Sequence, residues 1–424
     1  MFTKACRVAG CLVAALWLVA PAQAGALQSW VPTWYAAPEP AGKADKPLED
    51  MTLRQIVRVS AGGGQVRVRL SNAYGTARLR LDEVRIARRL SSSRIDPTSD
   101  RELTFNGRAG VTIAPGAYAI SDPVPLKVAA NSDLALSVYV AGPTKITTLH
   151  DIQRGVLYGA PGRQAGAPEL PEGKVDIGIG RAFPWLAEVE VADTPARATI
   201  VTFGDSITDG FGIQPDKGGT WPEILSRRLE TSGMKLSVVN AGLSGNRLLH
   251  HGQSARFGDS GLSRFDRDVL NQPNVGAVIV LLGINDLGHA EGPGAAEYVS
   301  AEDMIDGYRQ LAARAHERCI RIYVATLTPF KGTVFRNYYS DEKEARRQRI
   351  NIWLRQGGVF DGVIDFDKAL ESAPGSGVLK ADYDVGDHLH PDDEGAAAMA
   401  AAVPLNLFKG LKPGTAPGAC PRKH

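Results

Sequence analysis

Cysteine is scarce: four occur in 424 residues, and two of them, Cys6 and Cys11, stand within the first 24. Net charge is close to absent, with 48 Lys and Arg against 46 Asp and Glu. That balance leaves no basic excess for a nucleic-acid partner. Beyond residue 24 no apolar run is long enough to cross a bilayer, so no integral membrane segment is expected after it. Metal-ligand spacing is missing as well: His250 and His251 beside Asp259 have none of the usual spacing and read as a polar loop. What remains is the composition of a globular protein, 44% hydrophobic and 22% charged, in a chain long enough for two domains.

The first 24 residues have the parts of a Sec-type signal peptide. Lys4 and Arg7 precede an apolar stretch over residues 8–20, and Ala22-Gln23-Ala24 is a small-residue cleavage pattern. Cleavage after Ala24 is expected, and with it a periplasmic or secreted location. Val8-Ala9-Gly10-Cys11 resembles a lipoprotein box, but it comes before most of the apolar run, so lipidation of Cys11 is not expected. Cleavage removes two of the 48 basic residues and none of the 46 acidic ones, which brings the formal balance to zero. Cys319 and Cys420 then remain. They either pair and tie the C-terminal tail to the body or stay as idle thiols, because a sequence does not give their separation.

Hydrophobic patterning changes once along the chain. From residue 53 to about 140 it has period two: Val66, Val68 and Leu70 alternate with Arg67 and Arg69, as a strand with one buried face requires. Residues 78–81 and 134–140 also read as strands, and turn signals such as Gly62-Gly63-Gly64 and Ala114-Pro115-Gly116 separate such runs. Many short strands without a long helix predict a β-sandwich N-terminal domain over residues 25–194. Residues 159–173, rich in Pro and Gly, read as a surface loop or linker, residues 183–191 as one more strand, and Thr194-Pro195 as the boundary.

After Pro195 apolar, strand-like runs cover residues 200–203, 236–239, 275–282, 320–327 and 359–366. Helical patterns lie between them, over 221–229, 301–318 and 341–355, the first with Thr220 as N-cap and Pro222 in its first turn. Strands alternating with helices predict an α/β domain over residues 195–424: a doubly wound, flavodoxin-like, parallel five-stranded sheet, ordered 2-1-3-4-5.

Four polar segments stand just past strand ends, where such sheets gather their ligands. They are Gly204-Asp205-Ser206, Asn240-Ala241-Gly242-Leu243-Ser244-Gly245-Asn246, Gly283-Ile284-Asn285-Asp286 and Asp387-His388-Leu389-His390-Pro391. Any one alone is weak: Ser206 taken singly is a turn-former or N-cap, and Gly242 and Gly245 are ordinary turn glycines. Asp205 and Asp286 read as loop braces. Trp221, Tyr338 and Tyr339 either line a cleft or pack in the core or at its rim.

In this order and spacing the four segments resemble the motif blocks of the SGNH, or GDSL-type, esterase superfamily over roughly residues 198–408, with Ile207 where the family name expects leucine. The resemblance implies Ser206 as nucleophile, His390 as general base and Asp387 as the residue that orients it. For the oxyanion it implies the N–H of Ser206, the N–H of Gly245 and the side-chain amide of Asn285. Chemistry gives independent reasons for these types. A serine hydroxyl needs an adjacent base, histidine titrates in the right range, and a carboxylate on its second nitrogen fixes the tautomer. His388 is the rival base; Pro391 favours an extended conformation at His390 that could direct its ring to the crevice.

The implied activity is hydrolysis of carboxylic esters through an acyl-enzyme, with no metal or organic cofactor required. The whole chain also looks like a bacterial arylesterase or acylhydrolase subgroup encoded near xylan-degradation genes, which makes polysaccharide deacetylation a substrate expectation. A lysophospholipase or short-chain lipase, an acyltransferase and a non-catalytic glycan-binding protein are the alternatives. The expected partner is a small-molecule or polysaccharide ester. Acyl length and oligomeric state are not legible.

Overall fold

A strand that is apolar along its whole length has to be covered on both faces, and this requirement organises the C-terminal half. The computed structural model describes residues 29–42, 47–151, 156–171, 182–214, 219–290, 292–416 and 420. The leader expected over residues 1–24 lies outside them. Five parallel strands form one sheet in the order Ser237–Gly242, Thr199–Gly204, Val275–Leu281, Arg321–Ala325 and Gly362–Ile364. The first of these in the chain, Thr199–Gly204, thus has the second on one side and the third on the other. Winding reverses beside it, which opens a crevice at the carboxyl ends.

Alternation along the central strands divides one apolar run between two cores. Val201, Phe203, Val278 and Val280 pack with Tyr308, Leu311, Ile350 and Leu354, from the helices Ala301–Glu317 and Asp341–Gln356. Ile200 and Ile279 pack with Trp221, Leu225 and Met399, from Trp221–Thr231 and Asp393–Ala402. Two helices begin with reciprocal caps, Thr220 with Glu223 and Ser300 with Asp303. Such a cap is worth about 0.5–2 kcal/mol against alanine. Asp393–Ala402 is an addition to the expected helices, since its alanine-rich sequence has no polar stripe to set against an apolar one. The fifth strand is shorter than expected because Asp365 caps the helix Phe366–Leu370 and ends it.

The N-terminal half is antiparallel. One sheet runs Val31–Tyr35, Leu186–Ala192, Gly63–Ser71, Tyr118–Ile120, with Val124–Val128 also on Gly63–Ser71. A second runs Val156–Pro161, Met51–Val59, Ser132–Val140, Glu83–Ser91, Arg94–Ile95, and smaller sheets of two or three strands lie beside them. Val66, Val68 and Leu70 share one core with Leu134, Leu136 and Val138. On the opposite face of their strand, Arg67 and Arg69 reach the buried carboxylates of Glu190 and Glu188.

Two expectations need correction here. Of residues 159–173, expected as a surface loop or linker, Gly159, Ala160 and Pro161 instead end a strand, paired with Leu53, Thr52 and Met51, and residues 162–171 form the loop. Beyond them the buried Arg54 donates to the carbonyls of Ala165 and Ala167, so backbone groups that water would otherwise satisfy are bonded inside. Residues 172 and 173 lie outside the described residues. The run at 183–191 is two strands, Phe183–Pro184 and Leu186–Ala192, broken at Trp185, whose φ of 64° no strand residue adopts.

Pairing changes from antiparallel to parallel between Ala192 and Thr199. The halves meet along the edge strand Ser237–Gly242: the Ser60 and Ser237 hydroxyls lie 2.9 Å apart, and Val238 N–H donates to Ser60 Oγ at 3.1 Å. A disulfide joins Cys319 to Cys420 with Cα atoms 5.4 Å apart, the first of the two alternatives the sequence left open. Among the described residues no helix is long and apolar enough to cross a membrane.

Candidate active site

The strand Thr199–Gly204 ends where only glycine fits. A Cβ on Gly204 would fall 2.2 Å from Thr208 Oγ1 and 2.6 Å from the Leu281 carbonyl. Asp205 follows and accepts Ile207 N–H at 3.0 Å, capping the single-turn helix Ser206–Asp209. Ser206 is therefore the first residue of that turn, at the carboxyl end of the second strand in the sheet. Burial pushes the Asp205 carboxyl up to about 7, against the pull of the Ile207 N–H. Its bonding is that of a brace for the turn.

The segment near residue 387 is tied by its own side chains. Asp384 Oδ1 accepts the N–H groups of Gly386, Asp387 and His388, and Asp387 Oδ1 accepts those of Leu389 and His390. His390 then lies with Nδ1 2.6 Å from Asp387 Oδ2 and Nε2 2.8 Å from Ser206 Oγ. An ionised carboxylate only accepts, so the proton of a neutral ring sits on Nδ1 and Nε2 is left to take one from the serine hydroxyl. Burial raises the Asp387 carboxyl, but the hydrogen bond and charge of His390 outweigh it and hold the group below the ordinary value. His388 turns away: at φ 59° its Nδ1 lies 2.5 Å from Asp384 Oδ2, and its ring is half exposed.

Gly245 has φ +74°, and a Cβ there would lie 2.2 Å from the Phe257 ring. The loop behind it is held from three sides. Asp286 Oδ2 and Oδ1 accept Leu248 N–H at 2.6 Å and Leu249 N–H at 2.9 Å; burial pushes this carboxyl up to about 6. Arg264, fully buried, donates to Asn246 Oδ1 at 2.9 Å and to the carbonyls of Ala241 and Gly204 at 2.8 Å each. Asn246 also donates to the carbonyls of Phe257 and Asp259. A Cβ on Gly242 would lie 2.3 Å from Asp209 N, so this glycine lets the loop lie against the Ser206 turn.

Asn285 lies in the first turn of the helix Ile284–His289, and its Nδ2 donates to the Asn246 carbonyl at 3.0 Å. An amide carries two N–H groups, so one remains for a ligand. The structure thus brings Ser206, Asp387 and His390 into one hydrogen-bonded series and sets Asn285 against the loop of Gly245.

Of the aromatic residues left open between cleft and core, Tyr338 and Trp221 are both buried. The Tyr338 hydroxyl donates to Asn285 Oδ1 at 2.8 Å; Trp221 is a core residue facing Phe366. Arg264 reads in sequence like any surface arginine. The Phe211 ring lies tilted by 40° against the His390 ring at 4.2 Å between centroids, and Phe335 meets it edge-on at 6.0 Å. His251 Nδ1 accepts Ser260 N–H, and no group of three or more potential metal-binding side chains occurs among the described residues.

The model of the GDSL-like lipase/acylhydrolase family matches residues 202–398. No curated protein matches the chain. Among solved structures, a lipase/acylhydrolase from Enterococcus faecalis is 20% identical, with 52% of this chain and 100% of that one covered, at a TM-score of 0.40. A GDSL-like lipase from Bacteroides thetaiotaomicron is 21% identical, covering 50% and 89%, at 0.37. An acetyl xylan esterase is 20% identical, covering 48% and 96%, at 0.37. The segment that carries all four polar loops, residues 202–398, is thus the one that matches the GDSL-like lipase/acylhydrolase family.

Proposed function

We propose that the protein is a serine esterase that cleaves carboxylic esters through an acyl-enzyme. One observation carries the reading: Ser206 Oγ, His390 and Asp387 form a continuous hydrogen-bonded series at 2.8 and 2.6 Å. Ser206 Oγ attacks the carbonyl carbon while its proton passes to His390 Nε2. The oxyanion is received by the N–H groups of Ser206 and Gly245 and the amide of Asn285. The C–O bond then breaks, and His390 returns the proton to the leaving alcohol. Water repeats the sequence on the acyl-enzyme and releases the acid. Turnover of p-nitrophenyl acetate by the wild type and by Ser206→Ala is the test: loss of turnover is expected, and equal rates would discard the proposal.

The side chains beside His390 bear on the substrate. Val334, Phe335 and Val385 are exposed large apolar residues. Val334 N–H donates to the Asp387 carbonyl and Val385 N–H to that of His390, so all three belong to the rim around the reacting groups. Such a rim suits an apolar or aromatic portion of the ester better than the hydroxyl-covered face of a polysaccharide. Deacetylation of polysaccharide is the second substrate reading. An ester panel varying acyl and alcohol groups separates the two, and Phe335→Ala should weaken aryl and long-acyl esters most.

Export to the periplasm or medium is proposed from the leader. The Cys319–Cys420 disulfide supports it, since such bonds persist in oxidising compartments.

A further inference from the structure

Every residue given a role in the reaction lies after Pro195, yet a buried side chain from the N-terminal half reaches the same loops. His150, at the end of the strand Thr148–His150, is 3% exposed. Its ring is held between two oxygens: Nδ1 lies 2.6 Å from the Ala37 carbonyl, and Nε2 lies 3.1 Å from Asp209 Oδ1. Asp209 is the last residue of the helical turn that begins with Ser206. Its other oxygen, Oδ2, accepts the Ser244 hydroxyl at 2.7 Å, and Ser244 directly precedes Gly245.

A carbonyl oxygen and a carboxylate oxygen both accept and cannot donate, so the ring satisfies both only as the doubly protonated imidazolium. The charges around it agree. Burial opposes protonation, but Asp209, and behind it Glu39, reverse that and push the His150 ring up to about 9. Glu39, on the strand Glu39–Pro40 paired with Thr148 and Leu149, accepts Asp151 N–H at 3.1 Å. Arg256, from the loop that carries Phe257, forms an ion pair with Asp151 and lies 3.9 Å from Glu39. Among the described residues, Glu39, Asp151, Asp209 and Arg256 are the titratable and charged groups around the ring; burial pushes the Glu39 carboxyl up to about 8, so below that pH Asp209 is the nearer source of negative charge.

A second connection repeats the pattern. Tyr35, on the strand Val31–Tyr35, donates to Asp268 Oδ1 at 2.7 Å. Asp268 Oδ2 in turn accepts from Arg264 at 3.0 Å, the arginine that holds Gly204, Ala241 and Asn246.

We propose that His150 is a positioning residue for the esterase reaction: as an imidazolium it fixes Asp209 and, through it, Ser244 and the oxyanion-receiving N–H of Gly245. The N-terminal half is then a structural part of the active site. This inference rests on the serine-esterase reading, and the geometry of an oxyanion donor is where a small displacement costs most rate.

The test uses full-length protein and p-nitrophenyl acetate, with kcat and KM measured across pH for the wild type, His150→Leu, His150→Gln and Ser244→Ala, and folding checked by circular dichroism. His150→Leu should lower kcat by about 10–100-fold with little change in KM. Gln can donate one hydrogen bond toward Asp209 but carries no charge, so His150→Gln should recover only part of that loss and mark the level to which wild-type kcat falls once the ring is neutral. In the wild type kcat should fall as pH rises through about 9, and this limb should be absent in His150→Gln, which a merely structural contact would not produce. Ser244→Ala, at a half-buried position, should show a kcat loss of its own, and combining it with His150→Leu should cost less than the product of the two single losses.

Folded variants with wild-type kcat and an unchanged alkaline limb would overturn the inference. Should His150→Leu not fold, wild-type kcat in Ser244→Ala would overturn it alone. A wild type that does not turn over esters would instead remove the esterase reading, and this inference with it.

Discussion

Tyr338 donates its hydroxyl to Asn285 Oδ1 at 2.8 Å, within the packed interior behind the reacting groups. This bond decides which way the Asn285 amide faces: with Oδ1 engaged by the phenol, Nδ2 is the end turned toward Asn246 and the site. Burial first, and then Asp205 and Asp286, raise the Tyr338 phenol well above its ordinary value, so it remains a donor throughout the working range. Tyr338→Phe removes that bond and keeps the ring. The expected result is a kcat lower by about 5–30-fold, corresponding to about 1–2 kcal/mol, with KM little changed. Steady-state kinetics on p-nitrophenyl acetate checks it.

Gly245→Ala meets two obstacles at once. The added methyl would lie 2.2 Å from Phe257, and φ of +74° is a conformation that alanine adopts only with strain. A kcat loss of about 100-fold or more is expected. Adding Phe257→Ala should relieve the clash and raise thermal stability while leaving kcat low, because the backbone strain persists. Recovery of full activity in the double variant would mean that the ring contact alone determined the effect.

Asp205 gives a stability prediction with a definite sign. Its folded carboxyl titrates near 7, against about 3.9 when unfolded. Between those values the folded state keeps a proton that the unfolded state has released, so stability declines as pH rises through that window. Asn at this position retains a side-chain oxygen for Ile207 N–H and cannot ionise. The Tm of Asp205→Asn relative to the wild type should therefore be higher at about pH 8.5 than at about pH 5, as thermal melts at both values would read.

The Cys319–Cys420 disulfide spans 101 residues. Removing it with Cys420→Ser should lower stability by about 2–4 kcal/mol in denaturant unfolding. The tail it anchors lies against Val275 and Arg318, through Gly414 and Thr415 N–H, at the amino ends of the strands. Since the reacting groups sit at the carboxyl ends, kcat should not change.

How much could be read from the sequence depended on the range of the signal. Ile200, Val201 and Phe203 are consecutive apolar residues halted by glycine, so a strand buried on both faces and a tight turn into Ser206 were legible locally. Asn285 and His390 were placed by motif, and Pro391 helped to choose His390 over His388. The Asp384 carboxylate that captures His388 leaves no trace in spacing. Still less legible were His150 and Arg264. His150 lies 59 residues from Asp209, and Tyr35 lies 233 from Asp268, so only tertiary folding brings these pairs together. The strand ends failed for a more local reason. Asp365 in the run at 359–366 turned out to be a helix cap, because a short carboxylate competes for backbone N–H groups that a strand would otherwise use.

The imidazole of His150 also limits how this architecture can be recombined. A crossover near Pro195 that joined the hydrolase half to a foreign companion lacking that ring would take from the buried Asp209 the partner that lies 3.1 Å from its Oδ1. Exchange of either half alone would be selected against, and the two segments should be inherited as a single unit.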